Sequence, residues 1–157
     1  MNLKRKLTNN TNDWDCGVQA IENLKRIAKT KKKISPHKAG IVKNEGVLEP
    51  IKYAKALKSI PKVKKVKVHR KPKIDVIVEW LERDNPDSKT QNVAIVHSKI
   101  LDEKDSHYWL AYKLNKGKKS LMAANFDDSS PIKKISLHRL RKDDIKIKKV
   151  YKVMIGK

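Results

Sequence analysis

The spacing of the apolar residues changes partway along the chain, and that change limits the fold more than any single motif. Up to about Asn85 they recur at three- and four-residue steps. Val18, Ala20, Ile21, Leu24, Ile27 and Ala28 share one helical face from Cys16 to about Thr30, and Ile51, Ala54 and Leu57 share one in "EPIKYAKALKSI". Ile74, Ile77, Val78 and Leu81 form a third in "KIDVIVEWLERDN". Ser35 with Pro36 predicts the start of a further short helix that stops at Gly46. Between these lies the lysine-rich stretch from Lys62 to Lys73, where Val66 and Val68 alternate as in an exposed edge strand. After Asn85 the pattern is that of strands: "NVAIVHS", "HYWLAYKL", "SLMAANF" and "IKIKKVYKVMI", with a hairpin turn at "NKGKK" and a short helical turn at "ISLHRL". Helices followed by an antiparallel sheet predict an α+β fold, and 157 residues without linker or internal repeat predict one domain, 1–157.

Composition removes several classes of function. Lys and Arg number 39 against 17 Asp and Glu, leaving a formal charge of +22, yet the periodic apolar segments argue against a chain held open by its charge. No run of about 18 apolar residues exists, and "MNLKRKLTNN" has no apolar stretch behind its basic residues, so neither membrane insertion nor a signal peptide is expected. The single cysteine, Cys16, excludes an internal disulfide and a thiolate zinc cage, and suggests a reducing, cytoplasmic or otherwise intracellular setting. The histidines at 37, 69, 97, 107 and 138 lack metal-ligand spacing, so no metal and no cofactor is expected. His97 reads as a structural residue at the end of a buried strand; Trp80 and Trp109 read as core.

One constellation carries chemistry. Cys16 stands at a helix start, behind Asp13 and Asp15 as candidate caps, where free N–H groups and aligned dipoles favour a thiolate. His107 opens the first hairpin strand, and Asn125 and Asp127 close the second, so a turn near Lys116 and Gly117 brings them side by side. Nucleophile, base and a group to hold the base are the parts of a cysteine hydrolase. The third member is Asp127, with Asn125 as the alternative.

These motifs resemble those of papain-like cysteine peptidases of the bacteriocin-processing, double-glycine leader type. That family starts its helix with Asp-Cys-Gly, here Asp15, Cys16 and Gly17, and heads a strand with a histidine, here His107 in "SHYWLAYKL". Its acid ends the next strand before a Ser-Leu segment, matched by Asp127 in "FDDSSPIKKISLHRL"; the likeness runs from about Asn10 to Leu140. The family has a glutamine oxyanion donor six residues before the cysteine, where this sequence has Asn10.

The resemblance implies a papain-like fold, N-terminal helices packed on a C-terminal antiparallel sheet, and a cysteine peptidase, in one form a maturation protease for a partner protein. His107 would hold Cys16 as a thiolate, Asn10 would stabilise the oxyanion, and Trp14 is a candidate for the substrate cleft. The partner is then a protein or peptide substrate, with an acidic partner or nucleic acid as further candidates for the basic surface, as in a virus particle. A deamidase or acyl transferase on the same fold, an inactive relative, and a basic nucleic-acid-binding domain are the alternatives.

Overall fold

A computed structural model describes Leu7 and residues 15–84, 88–101, 103, 105–115, 117–127, 130–142 and 144–157. The order of elements is α1 (Cys16–Ile27), β1 (Ile41–Val42), β2 (Gly46–Val47), α2 (Pro50–Ser59), β3 (Val63–Arg70), α3 (Ile74–Glu82), β4 (Thr90–Ile100), β5 (His107–Leu114), β6 (Ser120–Asp127), β7 (Ser130–Ser136), α4 (Leu137–Arg141) and β8 (Ile145–Gly156). Six strands form one antiparallel sheet in the order β3-β8-β4-β5-β6-β7. The molecule is therefore α+β, with helices packed on an antiparallel sheet.

Both faces of the sheet are covered, and each has its own core. On one, Val93, Ile95, Leu110 and Val153 meet Ala20, Ile21 and Leu24 of α1 and Tyr53 and Leu57 of α2. On the other, Ala94, Val96, Trp109 and Val150 meet Ile77 and Leu81 of α3 and Leu137 and Leu140 of α4. Covering both faces explains why "VAIV" is an unbroken apolar run, since a strand buried on two sides has no solvent-facing positions to fill with polar residues. Trp80 fixes α3 to β4: its Nε1–H donates to the Val93 carbonyl at 2.8 Å, and its own carbonyl accepts from Asn92 Nδ2 at 3.1 Å. Trp109 is fully buried, as its apolar surroundings predict.

The structure departs from the sequence reading in three places. The segment opened by Ser35 and Pro36 makes one turn and then the β1–β2 pair, because Gly40, Asn44 and Gly46 all have positive φ (71°, 69° and 84°), which no right-handed helix accommodates. Helix α2 is rotated relative to the face read from its apolar spacing: it buries Tyr53, Ala56 and Leu57 and leaves Ile51 65% exposed. Finally, "SPIKKIS", to which the sequence reading gave no strand, is the edge strand β7, paired with β6 from Ser120↔Ser136 to Asp127↔Ser130. Its proline lies at an edge, where a missing N–H costs no internal ladder bond. The lysine-rich segment is the opposite edge, β3, as expected.

Candidate active site

Cys16 is the first residue of α1 and is buried, with 5% of its surface exposed. Asp15 takes the N-cap position with no side-chain cap bond, and the Gly17 N–H of the first turn is directed at the Cys16 sulfur. Gly17 follows because nothing larger fits: an added Cβ would stand 2.6 Å from Val47 Cγ2 and 3.6 Å from the Tyr53 ring. The Tyr53 hydroxyl donates to the Gly17 carbonyl at 2.7 Å, so α2 and the β1–β2 pair together hold the turn that carries the cysteine.

Across the interface with the sheet, the Tyr108 N–H donates to Cys16 Sγ at 3.3 Å. The sulfur thus rests against the first residues of β5, one position from His107. The His107 ring is partly exposed, and its Nε2 makes a short hydrogen bond to the Asn125 backbone carbonyl. A carbonyl only accepts, so Nε2 carries the proton, and in the neutral ring the lone pair is on Nδ1.

That contact comes from a local break in β6. Pairing of β5 with β6 ends at Leu110↔Ala124, and the β6–β7 register slips between Ala124 and Asp127. Asn125, at the slip, is fully buried with φ of 60°, the left-handed conformation that asparagine tolerates better than most residues. Asp127 ends the strand with Oδ2 2.5 Å from Lys133 Nζ. The structure therefore brings Cys16, His107 and Asn125 to one corner; the His107 contact goes to the Asn125 main chain, and the Asp127 carboxylate is paired with a lysine. Asn10 and Trp14 lie outside the described residues.

Electrostatics at the cysteine differ from the expected thiolate. Burial pushes the thiol above its ordinary value and outweighs the N–H groups of Tyr108 and Gly17, which pull it down; the neighbouring Asp15 carboxylate adds to the rise. In this arrangement Cys16 is a thiol at neutral pH.

Behind the corner lies an aromatic layer that the sequence did not reveal. Tyr108 stacks on His97 with ring centroids 4.2 Å apart and meets Tyr53 edge-on at 5.3 Å, while Tyr53 meets Tyr151 at 5.1 Å. His97 Nε2 is 2.6 Å from Ser106 Oγ, and burial together with Lys149, Lys148 and His107 lowers its pKa to about 4. It is a neutral structural ring, in keeping with its reading as a packed histidine. The signal that could have found Tyr108 is its place immediately after the candidate base, at the head of a continuous apolar run. Among the described residues no three His, Cys, Asp or Glu side chains gather as a metal-binding group, and no helix is long and apolar enough to cross a membrane.

No protein-family model matches the sequence, and no curated protein matches it. Solved structures do. The peptidase domain of Streptococcus ComA, a bifunctional ABC transporter involved in a quorum-sensing pathway, superposes with a TM-score of 0.65 at 15% identity, over 97% of this chain and 98% of that one. The peptidase domain of Streptococcus mutans ComA in complex with a small-molecule inhibitor gives 0.55 at 14% identity, over 96% and 99%. At these identities the likeness is one of fold, and over nearly its whole length the chain has the papain-like fold of those peptidase domains.

Proposed function

We propose that the protein is a cysteine peptidase whose nucleophile is Cys16 and whose base is His107. The observation that carries this reading is the corner itself. A cysteine at a helix start touches the peptide unit beside a histidine whose Nε2–H is already engaged, which leaves Nδ1 to receive a proton.

The steps follow from those atoms. As the sulfur attacks a peptide carbonyl, the thiol proton passes to His107 Nδ1, an S–C bond forms and the carbonyl oxygen becomes an oxyanion. The Cys16 N–H at the helix start and the Asn10 side-chain amide are assigned as its donors. Collapse breaks the C–N bond, and the amine leaves with the proton from His107. Water, deprotonated by the same nitrogen, then attacks the thioester; the C–S bond breaks, the acid product leaves, and the sulfur takes the proton back from His107. The Asn125 carbonyl holds the ring in the required tautomer, and Asp127, which the sequence assigns as third member, is paired with Lys133 in the resting structure. The substrate is a protein or peptide, in the simplest case a partner that one cut matures. The +22 charge is assigned to a polyanionic partner, acidic protein or nucleic acid, and not to the reacting corner.

Incubating the wild-type chain with a peptide library and sequencing the products tests the reading. Cys16→Ala should abolish cleavage, His107→Ala should slow it about 10²- to 10⁴-fold, and Asn10→Ala about 10²- to 10³-fold. Cleavage that survives in Cys16→Ala overturns the assignment. Ammonia release from a glutamine side chain without backbone cleavage would reassign the same residues to a deamidase.

A further inference from the structure

Three adjoining hollows run along the side of the molecule on which α2 lies against β3. The first, about 1070 Å³, lies between the end of α1, the segment after it and α2. The second, about 550 Å³, lies between α2 and β3, and shares Lys55 with the first. The third, about 530 Å³, shares Pro50 and Arg70 with the second and reaches β8 through Lys146, Lys148 and Lys149. Lys55, and then Pro50 with Arg70, mark their shared borders, and the three in series make a trough.

Lysine and arginine make up about half of the lining of the first two hollows, beside apolar Ile34, Ala56, Ile51, Ala54, Val66 and Val68, and all of the third except Pro50. Glu22 is the one carboxylate among the lining residues, and Lys25 pairs with it at 3.0 Å. Lys31, Lys33, Lys38, Lys55, Lys65 and Lys71 are exposed side chains with no acidic neighbour in the lining. At the third hollow the crowding is felt: burial, then Arg70 and Lys148, lower the pKa of Lys149. Like charges held this close without counter-charge raise the energy of the free protein, and an anion seated among them relieves it.

We propose that this trough binds duplex nucleic acid through its phosphates, without reading sequence. Its length and its several contributing elements suit a polymer of regularly spaced negative charge. The cations are lysines apart from Arg26 and Arg70, which offers point charges rather than the planar forks that recognise individual carboxylates. Among the described residues no aromatic side chain lines any of the three hollows, so unstacked bases find no platform there, which favours a duplex over a single strand. The first hollow lies away from the proposed reacting corner, since Lys25 is nine residues past Cys16, about 14 Å along α1 at ~1.5 Å per residue. The third comes nearer to it, because its Lys149 pairs with His97, whose ring stacks on that of Tyr108. Duplex binding by these lysines requires no cleavage, so this proposal stands or falls independently of peptidase activity.

The test measures anisotropy of a fluorescent 20-base-pair DNA of mixed sequence with the full chain, from 50 to 200 mM salt. Lys31, Lys33, Lys55 and Lys65 are changed together to Gln in one variant; Lys113, Lys119, Lys134 and Lys142, exposed and outside the trough, are changed in a control of equal net charge. Wild type should bind, with log Kd rising linearly with log salt. The trough variant should lose about 3 to 4 from the slope, at about 0.9 per phosphate contact, and the control much less. Acetylation of the wild-type chain supplies a second readout: duplex should shield Lys55 and Lys65 more than Lys113 and Lys119. Equal losses in the two variants, uniform shielding, no binding at 50 mM salt, or tighter binding of polyglutamate than of the duplex would each overturn the proposal.

Discussion

Gly17 carries a constraint that its neighbour's chemistry conceals. The position follows the proposed nucleophile, yet what forbids a side chain there is Val47, across the β1–β2 pair. Gly17→Ala should lower stability by about 1 to 3 kcal/mol, the usual range for forcing an extra methyl into a packed site, with a matching fall in the urea midpoint. Val47→Ala in the same chain should recover part of the loss. Cys16 makes a second prediction. Because burial holds its thiol above the ordinary value of 9.0, alkylation of the resting protein by iodoacetamide should be slow at pH 7 and climb only above about pH 9. Rapid alkylation at pH 6 would show a standing thiolate, contrary to the proton transfer assigned here to the moment of attack. The sequence displayed Cys16 and His107 because their motifs are local. It concealed the Asn125 carbonyl because a main-chain acceptor has no letter of its own, and its aim depends on a slip between strands.

Helix α2 was legible as a helix, but its inward face was misplaced, for a physical reason. Spacing alone favoured Ile51, Ala54 and Leu57, but Tyr53 turns inward because its ring fills the core while its hydroxyl reaches the Gly17 carbonyl. A tyrosine is apolar over most of its surface and polar at one point, so it suits an inner face that meets a carbonyl with a lone pair to spare beyond its helical bond. Tyr53→Phe should remove that second donor and cost about 0.5 to 1.5 kcal/mol. If the tyrosine also positions the nucleophile, kcat should fall in the variant with KM little changed. Helices α1 and α3 were legible because their apolar faces are wide and regular. The edge strand β7 was not, since a proline and two lysines in seven residues hide its alternation.

The whole molecule is bounded by pH on both sides, through different residues. His97 is kept neutral, its pKa lowered from 6.5 to about 4, so as pH falls below 6.5 the unfolded chain takes up a proton the folded one refuses. Stability is therefore lost from pH 6.5 down through 4, and His97→Phe should flatten the Tm profile in that window. On the alkaline side the order reverses. Burial raises Cys16 above 9.0 and Tyr53, Tyr108, Tyr112 and Tyr151 above 10.0, so the unfolded chain sheds protons first and Tm should drop as pH passes 9 and then 10. The α+β architecture was readable at this scale because the change of apolar period precedes any detail of packing. The trough was not, because its lysines are scattered along the sequence and only the fold gathers them.

The place of β8 in the sheet bears on how the chain comes off the ribosome. It follows every other strand in sequence but lies between β3 and β4, paired with both. Until residues 145–156 emerge, those two strands present open edges, and β3 has no partner in the sheet. Strands β4 to β7 can pair as they emerge, but β3 can join the sheet only through β8, so in nascent chains the segment 63–70 should resist protease only once β8 has cleared the exit tunnel.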